Sequence, residues 1–377
     1  MNTRLDTQTR TPVLVWDLPT RTFHWALTIS FFIAFFTAEF DRLRDVHVAA
    51  GYIALGLIVF RIVWGFAGSR YARFASFAFP LRAAIEYTHA LLRGKAPRHI
   101  GHNPPGSWAI YVMLALGFAI GVSGVIVLGA EEQQGILRGV AERPIGEAIK
   151  AMHEALSWIM VALVLAHVAG VVIESLAHRE NLAAAMLTGR KLARKSDGIT
   201  GSQRAIALVM VIAAMLSAAW FLRWRVVEVA GVHQLPFVGR SLPDNTTWRS
   251  ACGTCHVPYH PTLLPARSWN AILDRLDDHN GMQLAIDAKT LREIREFLVT
   301  HSAETGTTEA AYMINRSIPL QETPRRITET GYWLEKHRGI DESYWRHEKV
   351  GSKSNCAGCH LDAHEGTYED AAMRLPR

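Results

Sequence analysis

Two short motifs near the end of the chain combine cysteines with histidine. The 377 residues contain four cysteines, in two pairs that are each followed at once by a histidine, CGTCH and CAGCH. The residues are Cys252, Cys255, His256, Cys356, Cys359 and His360. In c-type haem attachment such thiols form thioethers and the imidazole binds the iron, so the motifs predict two covalently bound haem c groups. Redox disulfides or a shared four-cysteine zinc site are the alternatives, although neither uses the histidines.

Four other histidines lie in strongly apolar segments: His24, His47, His153 and His167. Fourteen helical residues rotate by about 1400°, so His153 and His167 share one face, about 21 Å apart along the axis. His47 and His153 lie near the outer ends of their apolar segments and form one candidate pair (the outer pair). His24 and His167 lie near the inner, cytoplasmic ends and form the other (the inner pair). Two imidazoles from facing helices suit six-coordinate haem iron, so these pairs predict two haem b groups.

Histidines within a membrane also occur outside haem sites. A single one is often an interfacial side chain or a helix–helix hydrogen bond. A proton relay is the other functional alternative, but it lacks carboxylates, because only Glu154 and Glu174 lie on the same segment, near its ends. Arg61 lies fourteen residues after His47, where it can face a propionate of the inner haem or extend to the membrane surface.

Five segments are apolar enough to cross a bilayer, which takes about 20 helical residues. They are residues 23–40, 47–66, 107–129, 153–174 and 204–223. The first is the weakest, because Glu39 and His24 shorten its apolar stretch. We therefore expect a multi-pass protein of the bacterial inner (cytoplasmic) membrane, with lipid as its surroundings.

Charge is distributed unevenly between the two halves of the chain. Residues 1–224 hold 22 Lys and Arg against 14 Asp and Glu, whereas the remainder holds 18 against 20. The basic excess lies in segments 1–22, 67–106 and 175–203, which the positive-inside rule places in the cytoplasm. The rule predicts a cytoplasmic N-terminus and a C-terminal domain in the periplasm. This agrees with the two c-type haem motifs, because c-type haem is attached in that compartment. Since topology explains the basic loops, we expect no nucleic-acid partner.

The helical patterns extend into the C-terminal part. Residues 266–279 and 287–301 carry apolar side chains three and four positions apart, and no alternating strand pattern of any length occurs. The predicted fold class is all-α, with a four-helix membrane bundle, a fifth transmembrane helix and a small, mostly helical domain. The predicted boundaries are 1–203 for the membrane domain, 204–250 for the fifth helix and linker, and 251–377 for the periplasmic domain.

The membrane part resembles the bacterial cytochrome b561 family, which includes the b-type subunits of nickel–iron hydrogenases. The resemblance covers about residues 13–180 and rests on VWDLPTRTFHW, VHVAAGY, RYARF, GHNPPG and the pair His153 and His167. It implies a four-helix core with two bis-histidine haems, carried here by His24, His47, His153 and His167.

Residues of about 250–370 resemble the small dihaem cytochromes c that donate electrons to periplasmic haem proteins. The resemblance rests on CGTCHVPYHPTLLPARSW, LDDHNG, RRITETGYWLEKH and SNCAGCH. It implies bis-histidine iron and hence two distal ligands, for which the matching motifs offer His279 and His337. By proximity His279 goes with the first haem and His337 with the second, although they can cross over. The alternatives are His260, His301, His347 and His364.

These features predict transmembrane electron transfer, with membrane quinol as the donor and a periplasmic haem protein or other soluble redox protein as the acceptor. The same set of sites can run in reverse, toward quinone. Two alternatives remain: a haem enzyme, for example one that couples superoxide oxidation to quinone reduction, and an electron conduit of a larger dehydrogenase or hydrogenase. The sequence identifies no quinone-site residue, and a homodimer is among the assemblies it allows.

Overall fold

The computed structural model divides the chain into two compact units. The first comprises residues 1–124 and 148–224, and the second residues 125–147 and 225–377. Individual residues are described over the ranges 10–40, 43–132, 134–138, 143–224, 227–229, 232–234 and 242–376. The sequence-predicted boundaries at 203/204 and 250/251 stay predictions.

Long apolar helices make up most of the first unit. They are α1 (Leu18–Thr37), α2 (Arg44–Ala67), α3 (Leu81–Leu92), α4 (Pro104–Ala130), α5 (Arg143–His178), α6 (Leu182–Thr188) and α7 (Arg204–Trp224). The last residues of α4 and the first of α5 belong to the second unit. Strand β1 (Thr11–Leu14) pairs antiparallel with β2 (Arg190–Ala193), with Thr11 opposite Ala193.

Four of these helices, α2, α4, α5 and α7, are long and apolar enough to cross a membrane within the described residues. Helix α1 is not apolar enough by the same criterion, although it contains most of the first predicted span, residues 23–40. Its first turns carry Arg21 and His24, and hydroxyl side chains recur along it, which lowers the hydropathy of every membrane-length stretch of this helix. Even so, its apolar side chains Ile29 and Phe36 are exposed, as in a lipid-facing helix.

Helices of the first unit pack closely where glycines of one helix face larger side chains of another. A Cβ at Gly117 of α4 would lie 2.8 Å from the Ile58 side chain of α2, and one at Gly121 would lie 2.8 Å from Leu55. Small residues therefore allow α4 to pack directly on α2. Helix α7 packs against α1 and α2, where Met210 joins a buried cluster that includes Phe23.

The second unit contains short amphipathic helices joined by loops. They are α8 (Thr246–Cys252), α9 (Ala266–Leu273), α10 (Ala288–Thr300), α11 (Glu309–Ser317), α12 (Gly331–Lys336) and α13 (Glu342–Arg346). A small antiparallel ribbon joins β3 (Val227–Val229) to β4 (Val232–Gln234). Side-chain caps begin several helices; for example, Asp287 accepts hydrogen bonds from two backbone N–H groups at the start of α10. The hydrophobic core of this unit includes the buried side chains of Trp248, Trp269, Ile294 and Phe297.

Helix α9 is shorter than the periodicity of residues 266–279 suggests. It ends at Leu273, and the chain then turns back through Asn280 and Gly281, whose φ angles are +53° and +85°. His279 and Met282 exchange two backbone hydrogen bonds, of 2.7 and 3.2 Å, across this turn. This local backbone pairing leaves His279 on a tight turn after the end of α9.

Candidate functional site

The two cysteine motifs lie in loops at helix ends. In the first, α8 ends at Cys252 and the backbone N–H of Gly253 donates to the carbonyl oxygen of Arg249 at 2.9 Å. A Cβ at Gly253 would be only 2.4 Å from that oxygen, so the turn between the cysteines requires glycine. In the second motif, the N–H of His360 donates to the carbonyl oxygen of Cys356 at 2.8 Å.

All four cysteines are free thiols. Burial raises the pKa of Cys252 and of Cys356 to about 11, so both thiols are protonated at neutral pH. In the described part of the chain, which includes every cysteine, no group of three or more His, Cys, Asp or Glu is arranged to hold a metal ion.

His256 of the first motif faces His279. The two rings lie 6.4 Å apart, centroid to centroid, with planes inclined by 17°. His256 Nδ1 is 2.8 Å from the carbonyl oxygen of Val257, which can only accept, so Nδ1 carries the proton and Nε2 keeps its lone pair. Tyr259 stacks on the His256 ring at 4.6 Å. Burial lowers the pKa of His279, which favours the neutral imidazole that a metal ligand needs.

His360 of the second motif faces His337, at a centroid distance of 6.0 Å and an angle of 64°. His337 directly follows α12, and its Nδ1 lies 2.8 Å from the carbonyl oxygen of Trp333, whose ring stacks on it at 4.2 Å. Burial lowers the pKa of both His337 and His360. His360 Nδ1 is buried without a partner among the described residues.

The four alternative histidines take other positions. His260 is 7% exposed, with Nδ1 2.7 Å from the Thr262 hydroxyl, and burial lowers its pKa to about 4. His301 packs its ring on Phe297. His347 Nδ1 accepts from the backbone of Lys349, and His364 is exposed. In the described structure, His279 and His337 are the distal candidates whose rings face a motif histidine.

The outer pair lies between helices of the first unit. His47 of α2 and His153 of α5 have ring centroids 6.3 Å apart, with planes inclined by 73°. His47 Nδ1 is 2.8 Å from the carbonyl oxygen of Ala34 on α1. His153 Nδ1 lies 3.0 Å from the carbonyl oxygen of Ile120 on α4 and 3.0 Å from the Ser123 hydroxyl. These acceptors fix the proton on each Nδ1 and leave Nε2 available.

These separations fit one iron between two imidazoles. Each metal–nitrogen bond is about 2 Å and the ring centre lies about 1 Å beyond the nitrogen, which gives roughly 6 Å between centroids. The observed values of 6.3, 6.4 and 6.0 Å agree with that figure. Three of the four sequence-predicted pairs therefore have the centroid separation that a bis-histidine haem site requires.

The inner pair shows a different signature, buried polar atoms that lack partners. His24 and His167 lie within electrostatic reach of each other. His24 Nδ1 and Arg61 Nη1 are both buried with no hydrogen-bond acceptor in the described structure. Arg61 is 2% exposed, and its guanidinium carbon lies 5.1 Å from the centroid of the Phe74 ring. A haem propionate could accept a hydrogen bond from the unpartnered Arg61 Nη1, in addition to the negative charge of the nearby Asp17, so these residues fit the group.

Sequence reasoning did not identify two residues beside Arg61. The fully buried Asp17 caps α1 by accepting from Thr20 N at 2.7 Å, and it also accepts from Trp64 Nε1 at 3.3 Å. The ring of His102 packs between Trp16 and Phe77, at 4.6 and 4.4 Å. Its Nδ1 is another buried atom without a partner in the described residues.

Burial and the charge of Arg61 lower the pKa of His102 to about 3. In the sequence, both residues are marked only by their place in motifs. His102 lies in the GHNPPG motif, and Asp17 lies in VWDLP directly before the first apolar segment.

Comparisons with known families agree with the two units. The family model described as "Prokaryotic cytochrome b561" matches residues 15–189. The family model described as "Dihaem cytochrome c" matches residues 248–368. The two matches do not overlap, and each contains its own set of the histidines described above.

Individual relatives resemble one part of the chain each. A probable Ni/Fe-hydrogenase B-type cytochrome subunit of Azotobacter vinelandii is 27% identical over 220 residues, covering 48% of this chain and 90% of the relative. The X-ray structure of a dihaem cytochrome type c from Shewanella baltica OS155 is 31% identical, with 36% of this chain and 94% of that chain covered and a TM-score of 0.29. A dihaem cytochrome c from Rhodobacter sphaeroides is 32% identical. The match covers 34% of this chain and 99% of that chain, with a TM-score of 0.30.

Proposed function

Residues 15–189 belong to the prokaryotic cytochrome b561 family and residues 248–368 to the dihaem cytochrome c family, and from this pairing we propose that the protein carries electrons from membrane quinol to a periplasmic acceptor. Both families transfer electrons by means of haem, so electron transfer itself follows from membership. The donor, the acceptor and the direction are the proposal.

The observation that carries the proposal is the set of facing histidine pairs with centroids 6.0 to 6.4 Å apart. The outer pair would hold one haem b, and the inner pair, with Arg61 at a propionate, a second. Covalent haem c groups would be held by Cys252, Cys255, His256 and His279 and by Cys356, Cys359, His360 and His337. Bound haem supplies one-electron redox chemistry, with a potential set by axial ligands, hydrogen bonding and burial.

The side chains of this protein define what such sites can do. Backbone carbonyl oxygens hold protons on the Nδ1 atoms of His47, His153, His256 and His337, which orients each imidazole through its other nitrogen. Imidazoles on both sides of an iron leave no open position for a substrate. The arrangement therefore favours electron transfer over oxygen or substrate chemistry at the metal.

Quinol oxidation by this chain alone would make it a quinol:cytochrome oxidoreductase. We place it in the bacterial inner membrane, with the N-terminus in the cytoplasm and the C-terminal unit in the periplasm. The basic segments 67–106 and 175–203 support this orientation. Its partners would be the quinone pool, a periplasmic haem protein or other soluble redox protein, and a second copy of the chain if it dimerises.

The test is haem stoichiometry and turnover of the purified full-length protein. A pyridine haemochrome spectrum should show two haems b and two haems c per chain, and quinol should reduce all four. Subsequent oxidation by a soluble cytochrome would complete the reaction. Any other ratio of haem types would overturn the assignment of the sites.

The hydrogenase relatives favour a second candidate, that this chain is the membrane conduit of a larger dehydrogenase or hydrogenase. The two candidates differ in the need for a partner. A purified chain that oxidises quinol and reduces a soluble cytochrome unaided excludes an obligate conduit. Purification in a fixed ratio with a hydrogenase-type subunit, without quinol activity of its own, would support the conduit.

A further inference from the structure

A cluster of buried titratable side chains lies where α5 ends, outside the haem-holding residues. The Tyr87 hydroxyl of α3 donates to Glu174 Oε1 at 2.6 Å. His178 Nε2 lies 3.4 Å from the same oxygen and 3.5 Å from the Tyr87 hydroxyl. Glu174 is only 7% exposed, and its second oxygen, Oε2, is buried with no hydrogen-bond partner in the part of the chain that the structure describes.

The groups around this cluster are charged or titratable on every side. The ring of His99 packs edge-on against Tyr87 at 5.4 Å. Lys191 of β2 is buried, donates to the backbone oxygen of His99 at 3.2 Å and lies 3.7 Å from Glu180. Arg98 forms two parallel hydrogen bonds to Glu180, of 3.0 and 2.9 Å.

Most of these neighbours have a fixed protonation state. Burial and the Glu174 carboxylate raise the pKa of Tyr87, so the phenol keeps its proton. Burial lowers the pKa of His99, which stays neutral, and the Arg98–Glu180 pair is internally balanced. Glu174 is the buried acid of the cluster whose second carboxylate oxygen has no hydrogen-bond partner among the described residues.

Position on α5 relates this cluster to the inner pair. Glu174 follows His167 by seven residues, which is two helical turns less about 20°, so both lie on nearly the same face. The distance along the axis is about 10.5 Å. Glu174 is buried, so a charge at about that distance is screened less than in water, and an electron at the inner site and a proton at Glu174 should affect each other's binding.

We propose that Glu174, with Tyr87 and His178, forms a proton-binding site whose occupancy is coupled to the oxidation state of the inner haem site. Each electron that arrives at the inner site favours transfer of one proton from water onto the Glu174 carboxylate, and each electron that leaves favours its release. Charge and atoms balance, because the proton offsets the added electron. This rests on the proposed function, since it requires a haem at His24 and His167.

The test is the pH dependence of the midpoint potentials of the two b haems in the full-length protein. The inner component is identified as the one lost in His167→Ala. In the wild type its potential should fall as pH rises, by up to ~59 mV per pH unit for full coupling of one proton to one electron. Glu174→Gln should flatten this slope by half or more and leave both b haems bound.

Two further variants make the test specific. Tyr87→Phe removes a hydrogen bond that stabilises the carboxylate form of Glu174, so the carboxyl group should bind its proton more readily and the sloping region should move to higher pH. Glu86→Gln is the matched control, because Glu86 neighbours Tyr87 on α3 but is 62% exposed and paired with Arg82. It should keep the wild-type slope.

The outcomes separate the proton site from the haem assignment. If His167→Ala retains both b haems, the inner haem site itself is wrong. If His167→Ala loses one haem but the wild-type potential does not change with pH, or Glu174→Gln keeps the wild-type slope, the proton-binding site is wrong.

Discussion

The two units orient their histidines by different means. In the membrane unit, the hydrogen-bond acceptors belong to other helices: His47 uses Ala34 of α1 and His153 uses Ile120 of α4. In the C-terminal unit the acceptors are local, since His256 uses the next residue and His337 the residue four positions earlier. Imidazole orientation thus depends on helix packing in one unit and on short-range backbone conformation in the other.

The largest difference should appear when a ligand is removed. His153→Ala should release the outer haem b entirely, because only its two axial ligands and packing hold it. His337→Ala should retain its haem c through the thioethers to Cys356 and Cys359, but with an open iron position. Haem counts and carbon monoxide binding of the reduced protein distinguish these results. Loss of haem c from His337→Ala, or retention of both b haems in His153→Ala, would remove the contrast.

Acidification should lower the stability of the C-terminal unit, an effect smaller than the loss of a haem ligand. Burial, with a smaller contribution from His301, lowers the pKa of His260 to about 4, whereas the unfolded chain titrates near 6.5. The neutral imidazole therefore contributes stability in full above about pH 6.5, and that contribution, up to about 3 kcal/mol, is lost as pH falls toward 4.

Thermal unfolding, followed by the haem c absorbance between pH 7 and pH 4, measures this effect. His260→Asn keeps an acceptor for Thr262 and should flatten the loss of stability on acidification. The exposed His364→Asn is the control and should behave as the wild type does. Equal pH dependence in all three proteins would exclude His260 as the cause.

A smaller effect should follow from helix packing at the outer pair. A Cβ at Gly124 of α4 would be 3.0 Å from His153 Cε1, whereas one at Gly170 of α5 would have nothing within 4 Å. Overpacking at such a contact costs about 1–3 kcal/mol, so Gly124→Ala should weaken retention of the outer haem b by about tenfold or more. Gly170→Ala is the matched control and should retain it. The comparison fails if both variants behave alike when haem b is titrated against a competing acceptor.

The difference between local and long-range structure also determines what could be predicted from the sequence. The cysteine motifs are local, and a fourteen-residue interval on one helix is a periodic signal, so both were visible without a structure. The predicted partners His279 and His337 are the ones placed opposite the motif histidines, but the sequence alone could not exclude His260 or His301. That choice depends on tertiary packing, which brings the turn after α9 and the end of α12 opposite the motif histidines.

Other parts of the site were beyond sequence reasoning. Glu174 was noted only as a carboxylate near a helix end, because its contact with Tyr87 joins residues 87 positions apart. His102 likewise becomes notable only when the chain packs it between Trp16 and Phe77. The helical character of the chain was predictable, whereas the number of spans stays a prediction, since α1 lacks a membrane-length stretch as apolar as those of α2, α4, α5 and α7.

Helix α5 limits how the gene for this protein can change length. One inserted residue between His153 and His167 would rotate the second histidine by about 100°, away from the face that it shares with the first. Seven inserted residues would nearly restore the face but lengthen the interval by about 10.5 Å, to more than the thickness of the hydrocarbon layer. Of the short changes in length, only those close to a whole number of helical turns keep both histidines on one face.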